Sequence, residues 1–361
     1  MSRTVTYFAI LDPEKSPGVA NKIDQTLHGL ELLEYKTSKA FTPFATRGRH
    51  FAFALSVLVS RSDLLVIRNT VFTMFLLFPV IILKRLTGAR VVVDLPIPNR
   101  SVPREIWMSG LSLPGKLLRI AVIYLNFPWS LWSANRILQY SEESPWFSLG
   151  NRSRTKLVTN GISVDLIPLR KEVPSWPSDT LVLVGVAALA PWHGFDRVIR
   201  AIALHQKKER AARGVQVKFM VVGQGRSRDE LDRLARELEV EDLVDFRGVL
   251  RGSDLDPVFD EAHLAVSSLG LFRNDFVTAS VLKAREYTAR GIPFVHASRD
   301  PDFEPLPPFV YEVGNEEAPL DIEDLIEWYT EFRKTGFRTQ DIREYASERL
   351  DYLEKVRDYF E

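Results

Sequence analysis

The chain has 361 residues, 45% of them hydrophobic and 26% charged. That is an ordinary globular composition, and more chain than one hydrophobic core usually serves, so two domains are expected. There is no cysteine, which excludes a disulfide scaffold, a thiolate nucleophile and a thiolate metal site, and fits a reducing compartment. Net charge is zero, yet residues 1–168 carry 20 Lys and Arg against 11 Asp and Glu, while the remainder carries 27 against 36. A basic first half suits an anionic partner (phosphate, acidic lipid head groups or nucleic acid), although basic side chains scattered over a solvated surface give the same count.

The opening MSRTVTYFAI reads as a first strand and lacks the apolar h-region of a signal peptide. Short apolar runs beside turn residues read as buried parallel strands. In the first half they fall at 5–11, 64–67, 91–95, 137–140 and 156–158. Two longer apolar stretches, 72–83 and 117–132, are flanked by Lys84, Arg85, Lys116 and Arg119, and the second carries Trp129 and Trp132. The run 71–83 is interrupted by Thr73 and Pro79 and is too short to span a bilayer. These stretches read either as core helices on a sheet or as helices lying on a membrane surface. The proline-rich PLRKEVPSWPSDT at 168–180 reads as a linker. It divides a first domain, 1–167, from a second, 168–339.

In the second half the strand runs are 181–186, 217–222, 244–246, 264–267 and 293–296, with helical patterns between them. Strand–helix alternation occurring twice predicts two doubly wound α/β domains. The segment FMVVGQG at 219–225 is a strand entering a Gly-x-Gly turn, followed by a helix that Ser227 and Glu230 would open as a capping box. Such glycines let backbone N–H groups approach a phosphate, or simply make a tight turn. A full dinucleotide fingerprint needs a third glycine, and position 228 is Arg228. Residues 269–295 read as a loop, a helix from about Ser280, Gly291 and a strand. Lys283 and Glu286, three apart, share a face of that helix. A carboxylate at the C-terminal edge of a parallel sheet can accept from two ribose hydroxyls, and a helix start with a basic side chain suits a diphosphate. A Lys283–Glu286 surface ion pair is the plainer alternative. His193 sits in Trp192-His193-Gly194, between a strand and a helix. The other histidines have no metal-ligand spacing, and Asp254 reads as a helix N-cap, so no metal is indicated. The end of the chain, 339–361, reads as an amphipathic helix with Tyr345, Leu350, Leu353, Val356 and Phe360 on its apolar face. Residues 340–361 are expected to return to the first domain.

The runs VGVAALAPWHGFDRVIRAI, KFMVVGQG, VDFRGVL and SVLKAREYTARGIPFV, in that order, resemble the C-terminal domain of retaining family-4 glycosyltransferases over roughly residues 155–300. They look most like bacterial enzymes of capsule and exopolysaccharide assembly. VTNGISV at 158–164 and SPGVANKI at 16–23 are similar to the family's Asn-Gly-Ile turn and first glycine loop. The resemblance implies a GT-B fold, two Rossmann-like domains facing each other across a cleft. It implies transfer of a sugar from a nucleotide-diphosphate-sugar to a glycan or polyprenyl-diphosphate-linked acceptor, without a metal cofactor and without a nucleic-acid partner. The location implied is the cytoplasm, with peripheral contact at the inner face of the membrane through the first domain.

Carried over by position, Glu286 matches the second glutamate of the Glu-x7-Glu motif, which holds the ribose. Gly18 matches the loop glycine near the diphosphate, Gly248 and Val249 the backbone that meets the nucleobase, and Gly223 and Gly225 the strand-end turn. The diphosphate would meet the Ser280 helix start and Lys283. The first glutamate of the motif falls on Thr278, with Asn274 or Asp275 as stand-ins. The family's phosphate-binding Arg and Lys fall near Ala187 or Ala188 and on His193. His193, as a hydrogen-bond donor or as a cation if its pKa is raised, is then expected to help Arg273 and Lys283 meet the leaving-group charge. Asp94, ending its strand toward the cleft, is expected to bind an acceptor hydroxyl, as are Asn99 and Arg100. Rival readings are a catalytically degenerate binding protein, a nucleotide-sugar epimerase of the same architecture, and a dinucleotide oxidoreductase.

Overall fold

The computed structural model describes residues 3–14, 16–70, 73–107, 109–209 and 214–360. Val71 and Phe72, which open the first apolar stretch, lie outside them. The chain separates into two compact units, residues 1–163 with 352–361, and Val164–Asp351.

The first unit runs β1 (Thr4–Ile10), α1 (Pro17–Leu32), β2 (Lys36–Thr42), α2 (Arg49–Val59), β3 (Leu64–Arg68), α3 (Met74–Leu86), β4 (Arg90–Leu95), α4 (Val102–Trp107), α5 (Leu113–Asn126), β5 (Arg136–Gln139) and β6 (Thr155–Leu157). Its six strands form one parallel sheet in the order β2-β1-β3-β4-β5-β6. Successive side chains of a strand point to opposite faces, and β1 follows that rule. Phe8 and Ile10 pack with Phe53 and Val57 of α2, Leu77 and Ile81 of α3 and Ile123 of α5. Val5, Tyr7 and Ala9 face Ile23, Leu27 and Leu30 of α1. A sheet covered on both sides needs apolar residues at every strand position, which is why these strands read as continuous apolar runs.

The second unit runs β7 (Thr180–Val186), α6 (Phe195–Glu209), β8 (Gln216–Val222), α7 (Arg228–Glu237), β9 (Val244–Gly248), α8 (Asp256–Glu261), β10 (Leu264–Val266), α9 (Leu282–Arg290), β11 (Phe294–His296), β12 (Val310–Glu312), α10 (Ile322–Lys334) and α11 (Thr339–Arg349). The strands again make one six-stranded parallel sheet, ordered β12-β11-β10-β7-β8-β9. Among the described residues no helix is long and apolar enough to cross a membrane.

Four local expectations are corrected. Residues 168–180 are not a free linker, because they lie along the second unit. Arg170 is buried and donates to the Ala262 carbonyl at 3.0 Å, the Lys171 N–H donates to Asp260 at 2.8 Å, and Trp176 Nε1 donates to Thr330 at 3.1 Å. The chain end is two helices rather than one. The first, α11, stays in the second unit, where Tyr345 stacks on Phe303 with ring centroids 5.8 Å apart. The second, α12 (Tyr352–Phe360), belongs to the first unit. There it packs on α1 at Gly29, where a Cβ would stand 3.2 Å from Val356 Cγ2, and only a small residue lets the helices approach so closely. Ser227 precedes α7 but its side chain caps nothing. Asp254 lies inside a 3-10 turn, and the cap position of α8 is Leu255.

Candidate active site

The loops after β7, β8 and β10 meet at the C-terminal edge of the second sheet. Their closeness explains the glycines. A Cβ on Gly223, at φ +126, would stand 1.8 Å from the Ala187 carbonyl oxygen, and one on Gly225 2.3 Å from that of Leu189. The Gly223 N–H donates to the Gly248 carbonyl at 2.6 Å. Tight packing between neighbouring strand ends therefore suffices to require both residues. A second interlock joins the Trp192-His193-Gly194 turn to the loop after β10. A Cβ on Gly194 would lie 2.6 Å from Gly270 N, and the Leu269 N–H donates to the His193 carbonyl at 2.9 Å.

That interlock fixes the His193 ring. Its Nε2 lies 3.1 Å from the Ala188 carbonyl oxygen, which only accepts, so Nε2 carries the proton and Nδ1 the lone pair. The lone pair faces Ser268 Oγ at 3.0 Å and Lys283 Nζ at 3.1 Å, both of which donate to it. Burial, then the Lys283 charge, push the His193 pKa well below the usual histidine range, against the Ala188 hydrogen bond. The expectation of a charged or donating His193 is corrected: toward Lys283 it is a neutral acceptor. Burial pushes Lys283 itself down to about 7, opposed by the charge of Glu286. Its Nζ also lies 5.0 Å from the centroid of the Phe195 ring.

The carboxylates of the second unit nearest these loops are held by arginines. Glu286 pairs with Arg290 at 3.0 Å, and Arg290 also binds Asp256 at 2.7 Å. The Lys283–Glu286 ion pair does not form. Arg273 grips Asp196 with two bonds of 2.9 and 2.8 Å, donates to the Pro191 carbonyl at 2.7 Å, and binds Glu317. The charge Arg273 was expected to lend to a diphosphate is therefore neutralised in place. Arg285 is fully buried between Asp300 and Asp302. Lys283 is left without a carboxylate at ion-pair distance among the described residues.

Around this centre, Ser280 is half-buried, just before Val281, the cap of α9. Thr278 pairs with Arg299 in a one-residue parallel bridge, and the Ala279 N–H donates to the Arg299 carbonyl at 2.9 Å. Residues 277–279 are thus extended chain. Asn274 is buried and Asp275 has φ +59, in the left-handed region. Gly248, at φ +67, has open space around its Cβ position, and the neighbouring Val249 is exposed. Ser268 was not singled out from sequence; the only signal is a Ser-Ser pair at the end of a buried strand.

The first-unit candidates are placed differently. Asp94 is 2% exposed. Its carboxylate accepts from Tyr7 and from Arg68 at 3.2 Å, with Lys22 Nζ at 3.8 Å. Burial works to raise its pKa, but Lys22 and Arg68, with the Tyr7 and Tyr140 hydroxyls, hold it below the usual carboxylate range. Asp94, expected to reach an acceptor hydroxyl, is instead buried inside the unit, with Oδ2 bonded to Tyr7 and Arg68 and Oδ1 without a hydrogen-bond partner. Asn99 is fully buried, and the backbone N–H groups of Asn99 and Arg100 donate to Glu143 at 2.5 and 3.0 Å. Gly18 is exposed in the first turn of α1, with nothing within 4 Å of its Cβ position.

Residues 168–297 match the sequence model of the family described as glycosyl transferases group 1. The matched stretch lies within the second unit. The matched stretch contains His193, Gly223, Gly248, Lys283 and Glu286. The whole chain is similar in fold to a sucrose-phosphate synthase of Thermosynechococcus elongatus, with a TM-score of 0.65, 13% identity, and 99% of this chain and 97% of that one covered. It is similar to a glycosyltransferase of Rickettsia africae (TM-score 0.59, 10% identity, 99% and 96% covered) and to the trehalose-6-phosphate synthase OtsA (0.57, 12%, 99% and 97%). No curated protein matches at the level of sequence. The two parallel six-stranded sheets and these likenesses give the GT-B fold, with two Rossmann-like units. The protein is accordingly a transferase enzyme whose activity class is glycosyl transfer, a class that uses a nucleotide-sugar donor and a glycan acceptor.

Proposed function

We propose that the protein moves a sugar, with retention of anomeric configuration, from a nucleotide-diphosphate-sugar held by the second unit to a glycan or polyprenyl-diphosphate-linked acceptor bound by the first. The work it does is cell-surface polysaccharide synthesis, as the resemblance to family-4 capsule and exopolysaccharide enzymes suggests. The observation that carries this reading is Lys283, half-buried one residue inside the start of α9, without a carboxylate and within the family match.

The roles follow from chemistry. A lysine and the free N–H groups of a helix start suit a diphosphate, so Lys283, Ser280 and the first turn of α9 receive it. Glu286, half-buried and steadied from one side by Arg290, accepts the ribose hydroxyls. The open backbone at Gly248 and Val249 takes the nucleobase. Countercharge on the leaving diphosphate lowers the barrier most if it is already in place when charge develops. Lys283 supplies it, so the reaction is written without a metal, and turnover unchanged by EDTA is expected. The acceptor attacks on the face from which the diphosphate leaves, and no protein nucleophile is assigned.

The outward sides of α2, α3 and α5 expose Phe51, Leu55, Leu86, Leu118 and Leu125 beside Arg49, Lys84 and Lys116. Apolar and basic residues together suit an anionic lipid surface, which supports peripheral membrane contact at the inner face where a polyprenyl-linked acceptor would be met.

The test is a thermal-shift panel of UDP-, GDP-, ADP- and dTDP-sugars, since a ligand of the native state raises the melting temperature by mass action. One of them should raise it in the wild type and much less in Glu286→Gln. No shift with any would overturn the reading.

A further inference from the structure

His193 stands where the family resemblance expects a phosphate-binding cation, yet it carries no charge and turns its lone pair on Lys283. Its ring cannot swing away, because the Ala188 carbonyl holds Nε2 at 3.1 Å and the Gly194–Gly270 interlock holds its backbone. The carboxylates on the elements around Lys283 are already matched. On α9, Glu286 is taken by Arg290. On α6 and the loop after β10, Asp196 is taken by Arg273. On the loop after β11, Asp300 and Asp302 are taken by Arg285. Among the described residues the one titratable group bonded to Nζ is the neutral His193, whose Nδ1 also meets Ser268 Oγ. An amine in such a place has a hydrogen-bond acceptor but no carboxylate at ion-pair distance, and an anion from outside the chain would supply that partner.

We propose that His193 is a positioning residue: it aims Lys283 at the donor's diphosphate, and binding of a nucleoside diphosphate is completed by uptake of a proton from solvent at Nζ. The inference rests on the donor-site reading above. Before binding, the amine is partly unprotonated near neutral pH, since burial pushes it down to about 7. The diphosphate stabilises the ammonium form, so the bound pKa is higher, and the difference appears as protons drawn from the buffer. Arginine at the same position would be charged in both states and would draw none.

The experiment is calorimetric titration of the full-length protein with UDP, GDP and ADP at pH 8, repeated in buffers of low and high ionisation enthalpy. At this pH the free nucleotides are fully deprotonated. The wild type should take up about one proton per nucleotide bound, given the shift in Lys283. Lys283→Arg should bind with no uptake. His193→Phe keeps an aromatic ring but no lone pair. It should weaken binding roughly tenfold and raise the donor KM more than it lowers kcat, while His193→Asn, which keeps an acceptor, recovers part of the loss. Binding by the wild type without uptake, or equal uptake in Lys283→Arg, would overturn the inference and leave the donor site standing. If none of the three nucleotides binds, the donor-site reading itself falls, and this inference with it.

Discussion

The two units hold buried charges at comparable places, near the C-terminal ends of central parallel strands, and treat them in opposite ways. In the first unit Asp94 Oδ2 accepts from Tyr7 and Arg68, and Lys22 Nζ lies 3.8 Å from Oδ1, so the charge is countered where it lies. In the second, three arginines take the surrounding carboxylates and leave Lys283 bonded to a neutral histidine. Removing one member of a satisfied buried network leaves the others uncompensated and costs stability. A buried charge that has no ionic partner costs stability and remains available to a ligand. Pairing, rather than position at a strand end, separates the structural charge from the functional one.

The largest effect that would break this comparison is expected at Asp94. Asp94→Ala leaves Lys22 and Arg68 buried together, and should cost on the order of 3–5 kcal/mol in urea unfolding, with nucleotide affinity unchanged. Wild-type stability in this variant would mean that the network is not structural. Next is Lys283→Met, which removes a charged hydrogen-bond donor to the ligand. Donor affinity should fall by about 1.5–3 kcal/mol, while the melting temperature holds or rises.

Lys283 also sharpens the contrast through pH. Its folded pKa, about 7, lies below that of an unfolded lysine, so the unfolded chain binds more protons across the interval from about 7 to 10.5. Stability contributed by this group therefore increases with pH through that window, with a slope of at most about 1.4 kcal/mol per unit. Unfolding curves of wild type and Lys283→Met between pH 7 and 9.5 should converge as pH rises, and parallel curves would contradict the burial argument. The smallest effect is expected at Glu286→Gln, with nucleotide binding weaker by roughly 1–1.5 kcal/mol and stability little changed, since Arg290 keeps Asp256 as its ionic partner.

Much of the fold was legible because a strand buried on both faces has to be apolar throughout. The two strands that sequence reasoning missed lie at sheet edges. β2, KTSKAFT, keeps most of its side chains at or near the surface, and β12, VYE, is only three residues long. Neither carries a continuous apolar run. The break at Leu350–Asp351, which sends α12 to the first unit, has no proline or glycine to announce it. At the site, residue spacing brought Lys283, Glu286 and His193 to notice, but spacing says nothing about who pairs with whom. Arg273 and Lys283 look equivalent in sequence. Only the fold reveals that Asp196 and Glu317 wait for the first and that no carboxylate waits for the second. The partners of Asp94 were hidden for the same reason, since they come from β1, α1 and β3, far away along the chain.

The most direct measurement is a crystal structure of the protein soaked with the nucleoside diphosphate that gives the strongest thermal shift. The account predicts Lys283 Nζ within hydrogen-bond distance of a phosphate oxygen and Glu286 on the ribose, with His193 still behind the lysine. A nucleotide bound elsewhere, with Lys283 still bonded to His193 and to no phosphate oxygen, would contradict it.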